Sequence, residues 1–280
     1  MNDLASLLDA EGQYAEAEKL DRETLDIRRQ VLGPEHPDTL TSMSQLAWAL
    51  GQEGQYAEAE NFERETLETQ RRVLGPEHPR TLSTIGTLAV ILTNEGRYAE
   101  SEGLQREELD IQRRVLGPEH PRTLSTINNL GWNLQQEGRY AEAEMIQREG
   151  LDIERRVLGP EHPDTLRTSG NLALTLSGEG HYAEAEKIER EVLNISRRVL
   201  GPEHPDTART TYNLGCLAAL QGRRNEALSL LREAVDHGLR PFADLGIEKD
   251  PDFKSLHGDS RFAALVAHAK ERAAAGSRHN

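Results

Sequence analysis

Apolar residues in this chain return at helical spacing, and the whole arrangement then returns at a longer one. Over 39–53, TLTSMSQLAWALGQE, the residues Leu40, Met43, Leu46, Ala47 and Leu50 fall at i, i+3, i+6, i+7 and i+10. That is the stripe of one amphipathic helix face. A second stripe, Tyr56, Ala59, Phe62, Leu67 and Val73, predicts another helix from about Gln55 to Leu74. Gly54 separates the two, because a glycine just past a helix end enters the left-handed conformation without the cost of a Cβ. Gly75 and Pro76 stop the second helix, and Pro37 sits where a first helical residue has no intrahelical N–H bond to lose.

The pair then repeats. LGPEHP stands at 32–37, 74–79, 116–121, 158–163 and 200–205, and Tyr-Ala-Glu begins at 14, 56, 98, 140 and 182, a period of 42 throughout. Units of this size cannot bury an apolar face alone and do so by stacking. The repeats are expected to start near 38, 80, 122, 164 and 206, within an array spanning 1–237. A truncated first unit opens at Asn2-Asp3-Leu4-Ala5, in mid-helix, and leaves an apolar edge through which the chain could self-associate. The last unit has a shorter second helix, Asn225 to His237. Residues 238–272 read as a connector and two short helices, with Phe253, Leu256, Phe262 and Leu265 placed to cover the final repeat, and 273–280 as a disordered tail.

Composition narrows function mainly by exclusion. The formal charge is −15 and aromatics make up 4% of the chain, which argues against both phosphate-backbone binding and base stacking, so no nucleic acid is expected. No apolar run reaches the ~18 residues of a membrane span, the N-terminus lacks a basic leader, and the single cysteine, Cys216, suits a reducing compartment. A cytoplasmic protein without a membrane partner is the expectation. There is no P-loop, GxGxxG, HExxH or CxxC, and the carboxylate pairs recur identically in every unit, whereas acid–base catalysis needs one special environment. The reading is therefore no enzyme, no cofactor and no metal. The connector histidines His36, His78, His120, His162 and His204 are expected to hold their own turns, being separated by about one helix-packing distance of 8–10 Å. Glu60 and Arg64, an i, i+4 pair repeated along the chain, read as a solvated outer face.

Two helices and a tight glycine turn per unit form the tetratricopeptide pattern, with its Leu-Gly/Ala step at Leu130-Gly131, Leu172-Ala173 and Leu214-Gly215. The 42-residue variant resembles the kinesin light chain type of tetratricopeptide repeat. Asn128-Asn129-Leu130-Gly131, the run from Gly138 to Glu144 and Leu158–Pro163 carry that resemblance in one unit. The repeats are also similar to the ligand-sensing tails of nucleotide-binding signalling proteins, and the segment after 238 resembles the closing part of arrays fused to bacterial serine/threonine kinases. The resemblance implies an all-α, right-handed superhelical solenoid of antiparallel helix pairs, whose first helices line a concave groove for a protein or peptide ligand. It implies an adaptor or scaffold, with a regulatory tail of a larger signalling enzyme or a self-associating array as alternatives.

Carried over from the same resemblance, the residue before the Leu-Gly/Ala step faces the groove: Gln45, Thr87, Asn129, Asn171 and Asn213, with Asn128 beside the third. An amide offers donors and an acceptor to an extended backbone. Five residues before the Leu stand Thr41, Ser83, Ser125, Arg167 and Arg209, the two arginines suited to a carboxylate. Two residues after it come Trp48, Val90, Trp132, Leu174 and Cys216, the tryptophans as apolar anchors. The competing reading makes the asparagines inter-helix or capping residues and either tryptophan a core residue.

Overall fold

A computed structural model of the chain describes residues 14–239 and 247–276. Among them are twelve α-helices, one 3-10 helix and no strand. The chain forms two compact bodies, 1–137 and 138–280.

In the N-terminal body the helices are α1 (Tyr14–Val31), α2 (Pro37–Gln52), α3 (Tyr56–Val73), α4 (Pro79–Asn94), α5 (Tyr98–Val115) and α6 (Pro121–Gln136). Each packs on the next, and α2 also touches α4, so first and second helices alternate in a layered stack. The C-terminal body holds α7 (Tyr140–Val157), α8 (Pro163–Gly178), α9 (Tyr182–Val199), α10 (Pro205–Leu220) and α11 (Arg224–Asp236). A 3-10 turn, Pro251–Leu256, and α12, Ser260–Gly276, complete it by packing on α10 and α11 respectively.

The repeated hexapeptide explains the helix starts. Proline is the first residue of α2, α4, α6, α8 and α10, and the preceding histidine is the N-cap in each. In every case the Nδ1 atom accepts the N–H two residues on, at 3.2 Å, which satisfies one of the orphan donors of the first turn. Thr39, Thr81, Thr123 and Thr207 donate to the carbonyls of Gly33, Gly75, Gly117 and Gly201, closing the connector on itself. Gly54 (φ 78°) and Gly75 (φ 89°) adopt the left-handed conformation that ends the two helices of the type unit.

Leu40, Met43, Leu46, Ala47 and Leu50 are all buried, as the first stripe requires. The second stripe runs differently from the sequence expectation: Val73 is exposed and Phe62 only half-buried, while Glu63 and Gln70 are buried. The C-terminal end differs too. Phe253, Leu256, Phe262 and Leu265 are buried against Ala208, Tyr212 and Leu231, but the closing helix is 17 residues long rather than short. It runs through Gly276, past the point where the sequence predicts a disordered tail, and 277–280 lie outside the described residues, as do the mid-helix opening at 2–13 and the connector at 240–246.

The outer arginines do more than pair within their own helix. Arg64 binds Glu60 at 2.7 Å and also Glu100, one repeat on, at 3.2 Å. Arg22 likewise holds Glu18 and Glu58, Arg148 reaches Glu184, and Arg190 reaches Glu226. Arg72 and Arg114 reach back to the connector glutamates Glu35 and Glu77, and Arg198 to Glu161. The face read as solvated is solvated, and its exposed arginines also form ion pairs from one repeat to the next.

Candidate functional site

On the first helices of the N-terminal body, α2, α4 and α6, the same position is apolar three times over and stays exposed: Trp48 (50%), Val90 (38%) and Trp132 (43%). Neither tryptophan is a core residue. Asn129, three residues before Trp132 and so on the same helix face, is exposed and makes no side-chain hydrogen bond among the described residues. Asn128 does not belong with it. One residue is ~100° round a helix, and that rotation buries Asn128 to 4% exposure, so it is withdrawn from the ligand-facing set.

The first turns of α4 and α6 supply cations that sequence reasoning passed over. Arg80 and Arg122 are exposed, one helical turn before Ser83 and Ser125. The cationic character expected only in the later repeats is thus present here, shifted by three residues.

In the C-terminal body, α8 and α10 carry Asn171 and Asn213, Arg167 and Arg209. Arg167 binds Asp164 and Arg209 binds Asp206, each at 2.9 Å across i, i+3. These exposed pairs are weak enough to exchange for a ligand carboxylate. Asn171 is half-buried without a side-chain hydrogen bond among the described residues. Asn213 is committed: its Nδ2 donates to Glu189 on α9 at 2.9 Å.

Glu189 belongs to a set the sequence reading missed. Position 21 of the chain and its equivalents, Asp21, Glu63, Gln105, Gln147 and Glu189, are polar yet buried in every second helix up to Leu231 in the last. Burial pushes Glu63 and Glu189 up to about 8, which favours the neutral acid in both. Ser44 donates to Glu63 at 3.2 Å, and Asn213 does the same service for Glu189. Glu108, one turn further along α5, rises to about 7 through burial, opposed by the charge of Arg122 and by hydrogen bonds from Thr126 and Gln112. Its carboxylate occupies the space left by Gly86, where a Cβ would lie 3.3 Å from both oxygens. The clue was available: 63 lies four residues after Ala59 and four before Leu67, on the buried stripe itself. Glu189 lies beside Asn213 and Arg209, and Glu108 beside Arg122.

Among the described residues, two clusters have metal-ligating composition. Cys216, Asp250 and Asp252 meet where the 3-10 turn docks on α10. Asp250 is the N-cap of that turn, accepting from the Asp252 N–H at 3.0 Å and from the Tyr212 hydroxyl. Burial, then Asp250 and Asp252, push the Cys216 thiol well up. The second cluster is Glu144, Glu179 and His181.

The sequence pattern described as Tetratricopeptide repeat matches residues 1–72, 80–154, 133–198 and 190–237. The chain belongs to the tetratricopeptide repeat family. Among curated proteins none matches it. Its tetratricopeptide array is similar to the crystal structure of a Podosopora anserina kinesin light chain-type protein with nearly identical TPR-like repeats. The two share 29% identity at a TM-score of 0.65, over 70% of this chain and 93% of that one. BtubC (BKLC) from P. vanneervenii shares 20% identity at a TM-score of 0.64, over 81% and 90%. A Rap protein complexed with Competence and Sporulation Factor shares 12% at 0.57, over 84% and 74%. The last two likenesses concern fold alone.

Proposed function

We propose that this tetratricopeptide array is a non-catalytic scaffold that binds a peptide segment of a partner protein on its first-helix face. The observation that carries the reading is the row Trp48, Val90 and Trp132, large apolar side chains left in water beside the unpartnered amide of Asn129. Exposing such groups costs solvation that a partner's apolar side chains would recover. In the C-terminal body, Asn171 is read as a contact to peptide backbone, whereas Asn213 is held by Glu189 and is left out of the ligand set. Arg167 and Arg209 are read as receiving an acidic side chain or C-terminal carboxylate in exchange for Asp164 and Asp206. The Rap protein solved with Competence and Sporulation Factor supports a ligand-binding use of such a stack. The net charge of −15 repels acidic ligands at long range, so the arginines act locally.

The test is a peptide-array screen followed by calorimetric titration of the best binder against variants. Trp132→Ala should cost about 2 kcal/mol or more, and Asn129→Ala or Asn171→Ala about 1 kcal/mol. Arg167→Ala with Arg209→Ala should weaken binding and flatten its salt dependence. The outer-face variants Arg64→Ala and Arg106→Ala should leave affinity unchanged. Loss of binding in those two, with no change in the first-helix variants, would move the ligand to the opposite face and sink the proposal.

A further inference from the structure

In two of the turns between the helices of a repeat a cation binds the turn to the preceding second helix, whereas the α2–α3 turn has the neutral Gln55 in that place, bonded to Glu53. In the N-terminal body Arg97 bonds Glu60 at 2.6 Å, Glu95 at 3.0 Å and Glu100 at 2.7 Å. In the C-terminal body Arg223 bonds Glu186 at 2.5 Å and Glu226 at 2.6 Å, and Gln221 replaces the third carboxylate. The equivalent of Arg97 and Arg223 in the α8–α9 turn is His181, while all three glutamates are retained as Glu144, Glu179 and Glu184. Arg148 bonds Glu144 at 2.6 Å and Glu184 at 2.7 Å. Glu179 is left with His181, whose Nδ1 lies 3.3 Å from its Oε2. Burial, and then the abutting Glu144 carboxyl, push Glu179 up from its ordinary value. The joint has one guanidinium fewer than the Arg97 joint and the same number of carboxylates, and unlike the Gln55 joint it sets an imidazole beside them.

We infer that His181, Glu144 and Glu179 form a binding site for a divalent transition-metal ion of the zinc class, which joins α7 to the α8–α9 turn. One nitrogen and one oxygen from each glutamate lie within 4.8 Å of one another. The edge of a tetrahedron with ~2.0 Å metal–ligand bonds is ~3.3 Å, the spacing His181 Nδ1 and Glu179 Oε2 already have. Three protein ligands with a fourth position open to water is a common zinc arrangement, and the imidazole selects zinc or nickel over magnesium and calcium. The ion supplies the positive charge that Arg97 supplies in its own joint, and two facing carboxylates no longer repel.

The experiment is thermal unfolding of the EDTA-treated full chain with and without zinc chloride, alongside titration calorimetry with zinc alone. Wild type should bind one zinc per chain and unfold several degrees higher with it, while magnesium does nothing. His181→Arg should raise the metal-free midpoint, by restoring the arginine joint, and abolish the zinc response; Glu179→Gln should abolish the response alone. His162→Gln, which alters an exposed connector histidine in the same body, should keep it. A wild type indifferent to zinc, or a zinc response that survives His181→Arg, overturns the assignment.

Discussion

The two bodies use one helix pair and present different chemistry with it. In both, the first helix opens on His-Pro, buries Thr-Leu or Thr-Ala in its first turn and ends at a left-handed glycine. Yet the N-terminal body exposes Trp48, Val90 and Trp132 at the position where the C-terminal body has half-buried Leu174 and buried Cys216. The first turns differ as well: α4 has Arg80 with Ser83 where α10 has Asp206 with Arg209, although α2 of the N-terminal body also carries an acid there, Asp38. The caps and core that make the stack hold constant, while the one face that no neighbouring helix needs is free to differ.

The difference at the ends gives the largest expected effect. Phe253 is fully buried against Tyr212 and Phe262, with ring centroids 5.5 and 6.0 Å away, and it exists only in the C-terminal body. Phe253→Ala should cost about 3–5 kcal/mol. Both tryptophans lie in the N-terminal body, so guanidinium unfolding followed by circular dichroism should shift more than the same transition followed by tryptophan emission. Coincident shifts would mean that the two bodies unfold as one.

Next come the buried carboxyls. Glu63 has a folded value of about 8 against an ordinary 4.5, so its protonated form favours the native state. That contribution is fully present below pH ~4.5 and is lost as pH rises through about 8. Glu63→Gln should flatten this slope and stabilise the protein at pH 8.5, since Gln105 and Gln147 already occupy the equivalent place. Glu189→Gln should do the same in the C-terminal body. Urea unfolding between pH 5 and 8.5 reads both, and an unchanged slope in the glutamine variants would show that these carboxyls ionise in the folded protein.

A smaller loss, about 1 kcal/mol, is expected when the N-cap is removed in His78→Ala, with most of it restored in His78→Asn. Equal losses in the two variants would mean that the imidazole stabilises the connector by packing rather than by its Nδ1 bond to the Arg80 N–H. The smallest effect belongs to the lattice: Arg72→Ala should leave the midpoint unchanged in 0.15 M salt, because both it and Glu35 are exposed.

The 42-residue period, the helix pair, the proline and glycine boundaries and the first-helix stripe were all legible, because each rests on local geometry repeated five times over. The site was legible only as positions. That Asn129 faces water while Asn128 is buried turns on a helix rotation that a boundary uncertain by one residue cannot fix. That Asn213 serves Glu189, and not solvent, depends on where α9 lies against α10.

By itself the sequence determined how often the chain turns and what each helix is made of, since caps, breakers and apolar spacing act within a few residues. Only the tertiary structure decided which repeated glutamates are ionised partners and which are neutral and buried. Glu60 and Glu63 are three residues apart on one helix, yet one meets arginines and the other the packed side of the next helix. A carboxyl's charge depends on the solvent and cations around it, and those come from residues a full repeat away.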